Sequence, residues 1–231
     1  MADPRHTGPL TIACAVLFIS IATDALPQGA TAAFEQELAA RKSAIAEMSC
    51  TLDDKPCLTH ELDARYELDQ WLRRQLDVQC AGAERSTGES CWHDMFVNYI
   101  LPVDKANLAR VIAIYDRHGW PHGEGWTKDA ENAIWFVVQH NPDTERDLMG
   151  EILPHVKAAA EAGRLTGWHY AAMYDRRELF AGRKQYYGTQ FRCENGVIVP
   201  QDMLEPDTVD TRRAELGMET VAEKAASMGS C

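Results

Sequence analysis

Apolar side chains recur every three or four residues along most of this chain, and this helical spacing limits the possible fold more than any other feature of the sequence. Residues 127–140 show the pattern most clearly, with a stripe of Ala130, Ala133, Ile134, Val137 and Val138. Further segments predict helices over 34–49, 60–79, 103–117, 144–162 and 166–181. We therefore expect a mainly α-helical domain with an irregular arrangement of helices.

Strand character is confined to residues 185–200. Residues 185–193 predict a first strand, Glu194-Asn195-Gly196 is a turn signal, and Val197-Ile198-Val199-Pro200 predicts the returning strand. The expected fold class is thus mainly α with one small β-hairpin near residues 185–200. After the hairpin, we expect a last helix from Asp207 through Leu216 and then a tail of small residues.

The first 32 residues have the features of a signal peptide. An apolar run at 10–22 follows a basic residue and is too short to span a bilayer comfortably. Ala-Thr-Ala at 30–32 is a cleavage signal, and an uncleaved anchor is the alternative. We expect residues 33–231 to form a single exported domain, periplasmic or secreted, with no membrane span after cleavage.

The charge of the expected mature chain limits the classes of partner that it can bind. It carries 22 basic and 33 acidic side chains, a formal charge of −11. Nucleic acids and anionic membrane surfaces reward clustered Lys and Arg, so this balance argues against both as main partners. A small molecule, a peptide or a glycan is the expected partner, and the oligomeric state is left open.

The cysteine count agrees with export, because six cysteines follow residue 32. Local loop closure predicts the pairs Cys50–Cys57 and Cys80–Cys91, which leaves Cys193–Cys231 for the tail. The alternative is that several are free, buried thiols. The spacing contains no C-x-x-C pair and does not suggest zinc.

Three short polar signatures interrupt the apolar pattern at 139–143, 169–176 and 185–190. Polar groups among core-facing positions are costly unless they have partners, so their clustering indicates a site. The expected catalytic residues are His140 and Asp175. The expected substrate-binding residues are Gln139, Arg176, Gln185, Tyr187, Thr189 and Gln190.

His140 and Asp175 are singled out by helical phase. His140 follows Val137 by three residues and can point inward, where a histidine can act as acid or base near neutral pH. It could instead simply complement the helix dipole. Asp175 lies on the apolar stripe of its helix and needs a cation or several donors. Arg176 or Arg177 could supply the cation, and a buried Asp–Arg pair joining two helices is the alternative role.

The run from Gln185 to Gln190 would place Gln185, Tyr187 and Thr189 on one face of a strand. Gly188 would let a ligand or another backbone approach closely. An ordinary edge strand with polar residues facing water is the alternative. A metal site built from His140, His169 and Asp175 matches no compact ligand motif, so we expect neither a metal nor another cofactor.

Several of these motifs together resemble the bacterial DUF6624 family of unknown function. They are the Gln139-His140 pair, Asp175-Arg176, Gln185-x-Tyr187-Gly188-Thr189-Gln190, Asp116-Arg117-x-Gly119-Trp120-Pro121 and Val209-Asp210-x-Arg212-Arg213 with Leu216-Gly217. The resemblance covers roughly residues 104–220 and leaves 33–100 outside. Because Asn141-Pro142 moves Asp143 one position from the usual family aspartate, Asp143 is left out of the predicted site.

The resemblance supports the location of the site and implies no reaction. Our functional prediction is a small hydrolase in which His140 acts as acid or base and Asp175 orients it or shares its proton. Arg176 would neutralise an anionic group of the substrate. The alternative is a non-catalytic envelope module that binds a peptide, glycan or protein and whose polar cluster is structural.

Overall fold

A computed structural model describes residues 30–82, 90–141 and 146–229. Most of them lie in helices, which confirms the predicted mainly α fold. The helices are α1 (Ala32–Glu47), α2 (Lys55–Gln79), α3 (Cys91–Met95), α4 (Leu101–His118), α5 (Ala130–His140), α6 (Leu148–Glu161), α7 (Gly167–Phe180), α8 (Val209–Glu215) and α9 (Val221–Met228). A π-helical turn at Phe96–Ile100 joins α3 to α4, and a 3-10 turn at Pro206–Thr208 precedes α8.

Side-chain caps explain where several helices begin. Asp54 accepts a hydrogen bond from the backbone N–H of Cys57 at 3.1 Å, which starts α2 five residues before the predicted position. Asp147 accepts from the N–H of Gly150 at 2.9 Å and starts α6 at Leu148. The predicted start at residue 144 lies outside the described residues.

Helix α9 replaces the predicted tail of small residues. Thr220 and Glu223 cap it reciprocally: the Thr220 hydroxyl accepts from the Glu223 N–H, and the Glu223 carboxylate accepts from the Thr220 N–H. This capping box is a sequence signal that predicts a helix start. The helix packs against the hairpin, and Val221 is its buried residue.

The hairpin consists of β1 (Phe191–Glu194) and β2 (Val197–Pro200), which are antiparallel. Asn195 and Gly196 form the turn with positive φ angles of 53° and 81°, as a tight hairpin turn requires. The prediction of a strand from residue 185 was wrong, because residues 185–190 make only an isolated bridge to Met203. Asp175 binds three of the backbone N–H groups in this segment, so they do not enter a strand ladder.

The buried apolar side chains form two clusters. In the larger cluster, α4, α5, α6 and α7 pack against the first half of α2. In the smaller cluster, α1 and the 91–103 region pack against the middle of α2. Leu62 packs into the larger cluster and Leu72 into the smaller one. Helix α2 therefore links both parts of the core.

Two of the predicted disulfides, Cys50–Cys57 and Cys80–Cys91, are present and confirm the pairing expected from local loop closure. The third predicted pair includes Cys231, which lies outside the described residues, as does most of the predicted signal peptide. Disulfides of this kind are typical of an oxidising, extracytoplasmic environment. In the ranges given above, none of the helices combines the length and apolar character needed to cross a bilayer.

Candidate functional site

A cleft of about 320 Å³ opens where the C-terminal end of α5 meets α7, the segment after Gly188 and α9. Five of the predicted site residues line it: Gln139, His140, Arg176, Thr189 and Gln190. The remaining walls are mostly aromatic and are formed by Trp135, Phe136, Trp168, Phe191, Lys224 and Met228. The structure thus brings together side chains from two helices and a loop, as the polar signatures indicated.

Asp175, Gln185 and Tyr187 do not line the cleft. The Asp175 side chain is fully buried, with 0% of its surface exposed. One carboxylate oxygen accepts from the N–H groups of Tyr186 and Tyr187 at 2.7 and 2.8 Å. The other accepts from the N–H and hydroxyl of Thr189 at 2.9 and 2.8 Å. Asp175 therefore folds the 186–189 segment against α7.

The cations next to Asp175 have other partners, so the Asp–Arg pair that was the alternative role of Asp175 does not form. Arg177 pairs with Asp147 at 2.5 Å. Arg176 donates to the Gln139 carbonyl at 2.8 Å and to the Gln190 amide oxygen at 3.0 Å. Burial raises the pKa of Asp175, while the N–H groups of Tyr187 and Thr189 act to lower it.

Gln185 and Gly188 shape the same segment from behind the cleft. The Gln185 side chain is buried, accepts from the Gln190 N–H at 2.9 Å and donates to the carbonyl of Gln201 at 2.7 Å. Gly188 has a φ of 67°, and a Cβ atom there would lie 2.8 Å from the sulfur of Met203 and 2.9 Å from Val221. Protein side chains, rather than a ligand, approach this glycine.

His140 is paired with a carboxylate from a different part of the chain. Its Nδ1 atom lies 3.0 Å from Asp69 Oδ1, and α2 supplies this aspartate. No described residue forms a hydrogen bond with His140 Nε2, and the side chain keeps 16% of its surface exposed. The ring is therefore held at Nδ1 and open at Nε2.

Asp69 itself is held by an Arg73–Asp104 pair. Arg73 donates to Asp69 at 3.1 Å and to Asp104 at 2.9 Å, so two buried carboxylates share one guanidinium. Burial acts to raise the pKa of Asp69, but hydrogen bonds and charges of His140 and Arg73 outweigh it and lower the pKa to about 2. Burial and the Asp69 charge raise the pKa of Asp104 to about 7 against the effect of Arg73.

Burial and the neighbouring charges together set the protonation state of His140. Burial lowers the pKa of His140 below its ordinary value, and the Asp69 hydrogen bond only partly opposes this effect. Near neutral pH the ring is therefore neutral. With Asp69 ionised, the Nδ1–H donates to the carboxylate, which leaves a lone pair on Nε2.

Arg176 carries the unpaired positive charge of the cleft. No carboxylate of the described ranges lies within 4 Å of its guanidinium, which donates instead to the Gln139 carbonyl and the Gln190 amide oxygen. Burial lowers the pKa of Arg176, and the positive charge of Arg73 adds to the effect. A guanidinium in this setting favours an anionic ligand.

Gln139 contributes an unsatisfied acceptor. Its side chain is 4% exposed, and its Nε2 donates to the Ala172 carbonyl at 3.3 Å. Its Oε1 is buried and has no hydrogen-bond partner. A buried polar atom without a partner is costly, so this acceptor destabilises the wall of the cleft.

The residues considered for a metal lie in separate hydrogen-bond networks. His169 accepts from the Thr166 N–H at 3.1 Å, and its other ring nitrogen lies 3.1 Å from Asn132 Oδ1. Among the residues that the structure describes, no group of three or more His, Cys, Asp and Glu side chains is arranged to hold a metal ion.

Asp69 is the main site residue that the sequence did not single out. It follows Leu62 by seven residues and Tyr66 by three, so it lies on the apolar stripe of α2. The same criterion identified Asp175. Lys224 was missed because it belongs to α9, a helix that was not predicted.

The model of a family described as a family of unknown function, DUF6624, matches residues 56–228. This range extends beyond the expected 104–220 at both ends and includes α2 with Asp69 as well as α9 with Lys224. No curated protein and no solved structure matches the chain.

Proposed function

The chain belongs to the DUF6624 family of unknown function, and we propose that its cleft is the active site of a small hydrolase that uses His140 as acid and base on an anionic substrate. One observation carries the proposal: a largely buried histidine that lines the cleft is bonded to a carboxylate at Nδ1 and has no hydrogen-bond partner at Nε2 among the described residues. A carboxylate at Nδ1 orients an imidazole and stabilises its protonated form.

Each polar group of the cleft then has a role. Nε2 of His140 takes a proton from a water molecule, whose oxygen forms the new bond to the substrate, and the imidazolium returns the proton to the leaving group. Asp69 holds the ring and balances its transient charge. Arg176 binds an anionic group of the substrate, and Asp175 is a positioning residue that places Thr189.

The test is hydrolysis of chromogenic p-nitrophenyl esters, phosphates and glycosides by purified protein. We expect His140→Gln to lower kcat/KM by about 100-fold or more on any hydrolysed probe, the usual contribution of a general base. His60→Gln is the matched control, since His60 is exposed on α2. Equal rates for His140→Gln and the wild-type protein, with both folded, would remove the proposal.

A non-catalytic binding module is the second candidate, and the burial of Asp175 favours it. All four contacts of that carboxylate are used to hold the protein chain, so this part of the polar cluster is structural. NMR titration with inorganic phosphate separates the two candidates. A bound anion at Arg176 with no hydrolysis of any probe supports the binding module.

We also propose that the protein acts in the periplasm or outside the cell after removal of the first 32 residues. The two disulfides support this location. Fractionation of cells that express the full chain should place it outside the cytoplasm in a shortened form. Deletion of residues 1–32 should retain it in the cytoplasm with free thiols, and no difference between the two chains would contradict the proposal.

A further inference from the structure

A second cavity of about 360 Å³ adjoins the cleft. It is formed by the start of α7 and the 213–219 region, and Trp168 and Lys224 line both cavities. Both volumes fall in the range of roughly 300–1,000 Å³ that is typical of ligand sites. We call the two cavities together the groove, with Trp168 and Lys224 between its two halves.

Trp168 presents a flat apolar surface at this junction. Its side chain is 39% exposed, and its ring packs on buried Trp135 with 5.2 Å between centroids. Large aromatic side chains usually bury most of their surface on folding, because removing that apolar surface from water is favourable. An exposed indole between two cavities is therefore well placed for a ligand ring to stack on it.

The two halves of the groove differ in charge. The cleft contains Arg176, which has no carboxylate partner in the described ranges. In the second cavity, Glu219 lies 3.5 Å from Lys224 and neutralises it. Arg213 is also in that cavity, but it is only 1% exposed and donates to the carbonyls of Glu219 and Tyr187 at 2.6 and 2.8 Å, so its charge is not accessible to a ligand. The anionic part of a ligand would thus lie in the cleft, and an uncharged part would fit the second cavity.

The accessible groups of the groove therefore make two demands on a ligand: an anion for Arg176 and an apolar ring face for Trp168. A sugar acid meets both of these demands at once. Its carboxylate would pair with Arg176, and the C–H face of the next ring would pack on Trp168.

We propose that the groove binds a linear acidic oligosaccharide, with a uronic acid unit in the cleft and the adjacent unit stacked on Trp168 toward the second cavity. This inference rests on the proposed function, because it names the substrate class of the same site. It adds a direction to the ligand, from Arg176 across Trp168 to the 213–219 region.

The experiment is calorimetric titration of the wild-type protein with four probes: galacturonic acid, its α-1,4-linked trimer, maltotriose and triglutamate. We expect the trimer to bind about tenfold or more tightly than the monomer, because it reaches both halves of the groove. Maltotriose lacks the carboxylate and triglutamate lacks the sugar ring, so both should bind at least about tenfold more weakly than the acidic trimer.

Variants locate the effect. Trp168→Ala should reduce trimer affinity to that of the monomer, whereas Phe180→Ala should change nothing, since Phe180 is a 57% exposed aromatic side chain on the same helix. Arg176→Gln should weaken the trimer and the monomer about equally. Equal affinity of monomer and trimer, no effect of Trp168→Ala, or no trimer binding at millimolar concentration would overturn the proposal. Tighter binding of triglutamate would assign the groove to acidic peptides and overturn it as well.

Failure of this inference is distinguishable from failure of the proposed function. His140→Gln removes the proton-transfer group but leaves Trp168 and Arg176 in place. If that variant binds the trimer normally but has lost a hydrolysis that the wild-type protein shows, the groove proposal holds and His140 chemistry is supported. If hydrolysis of p-nitrophenyl probes depends on His140 while the trimer does not bind, the hydrolase proposal holds and the glycan proposal fails.

Discussion

The Nδ1 atom of His140 lies 3.0 Å from the carboxylate of Asp69, although 71 positions separate the two residues in the sequence. The aspartate comes from α2 and the histidine from the last turn of α5. Their contact fixes the Nδ1 edge of the imidazole and leaves Nε2 without a hydrogen-bond partner among the described residues.

Substitution of Asp69 should change the titration of His140. Asp69 raises the pKa of the imidazole, so Asp69→Asn should lower the already depressed pKa of His140 further. NMR titration of the histidine ring signals measures this shift. Glu67→Gln is the control because Glu67 is exposed on the same helix. A pKa of His140 that rises, or stays unchanged, in Asp69→Asn would contradict the assigned pair.

Asp104 should give stability a distinct dependence on pH. Its folded pKa is about 7 and its ordinary value is 3.8, so the folded state holds a proton that the unfolded state releases between these values. The protonated carboxyl group therefore contributes to the free energy of unfolding. This contribution is fully present below about pH 4 and is lost as the pH rises through about 7. The side chain of Asp104→Asn does not ionise, so the variant does not lose this stability as the pH rises.

Urea unfolding of Asp104→Asn and wild-type protein between pH 4 and 8 measures the difference. The variant should gain stability relative to the wild-type protein as the pH increases across this window. His140 acts in the opposite direction, since a lowered histidine pKa makes stability rise with pH, but that contribution is common to both proteins. A pH-independent difference would show that Asp104 does not take up the proton.

Asp175→Asn should destabilise the protein. The amide can replace only one carboxylate oxygen, so at least one backbone N–H of the 186–189 segment loses its acceptor. Each buried donor left without a partner costs roughly 1–3 kcal/mol. Asp202→Asn should change the free energy of unfolding by less than about 0.5 kcal/mol, because Asp202 is exposed. Similar melting temperatures for the two variants would show that Asp175 is not the anchor of this segment.

Gly188→Ala should be more costly than Gly196→Ala. Both glycines have positive φ angles, 67° and 81°, so alanine is strained at either position by about 1–2 kcal/mol. At Gly188 the new Cβ also meets Met203 and Val221, whereas nothing lies within 4 Å at Gly196. Overpacking adds about 1–3 kcal/mol. Chemical denaturation of both variants measures the difference, and equal losses would mean that the neighbours of Gly188 move aside freely.

Local patterns predicted much of the fold. The apolar stripe of α5 correctly predicted that this helix ends at His140, and the turn signal at Asn195-Gly196 correctly predicted the hairpin. Cysteine spacing gave both disulfides found in the described residues. Each of these features depends on residues that are near one another in the sequence, so periodicity and loop closure were sufficient.

Interactions between distant segments were not accessible in this way. Gln185 was expected to begin a strand, but the carboxylate of Asp175 binds the following N–H groups and turns the chain. Helical phase correctly placed Asp175 inside α7. It could not show which of the inward carboxylates would meet His140, because that choice depends on how α2 and α5 pack.

The position of α2 across both apolar clusters sets the minimum length of a fragment that can be used to study the cleft. A fragment that begins at residue 104 would keep His140, Arg176 and α9 but would lose Asp69 together with Leu62, which packs in the larger cluster with α5. Its histidine would titrate without a carboxylate partner, and its core would be incomplete. Measurements on such a shortened chain would describe a different site, so recombinant work should retain the sequence from residue 32 onward, which keeps α1 in the smaller cluster and the Cys50–Cys57 disulfide.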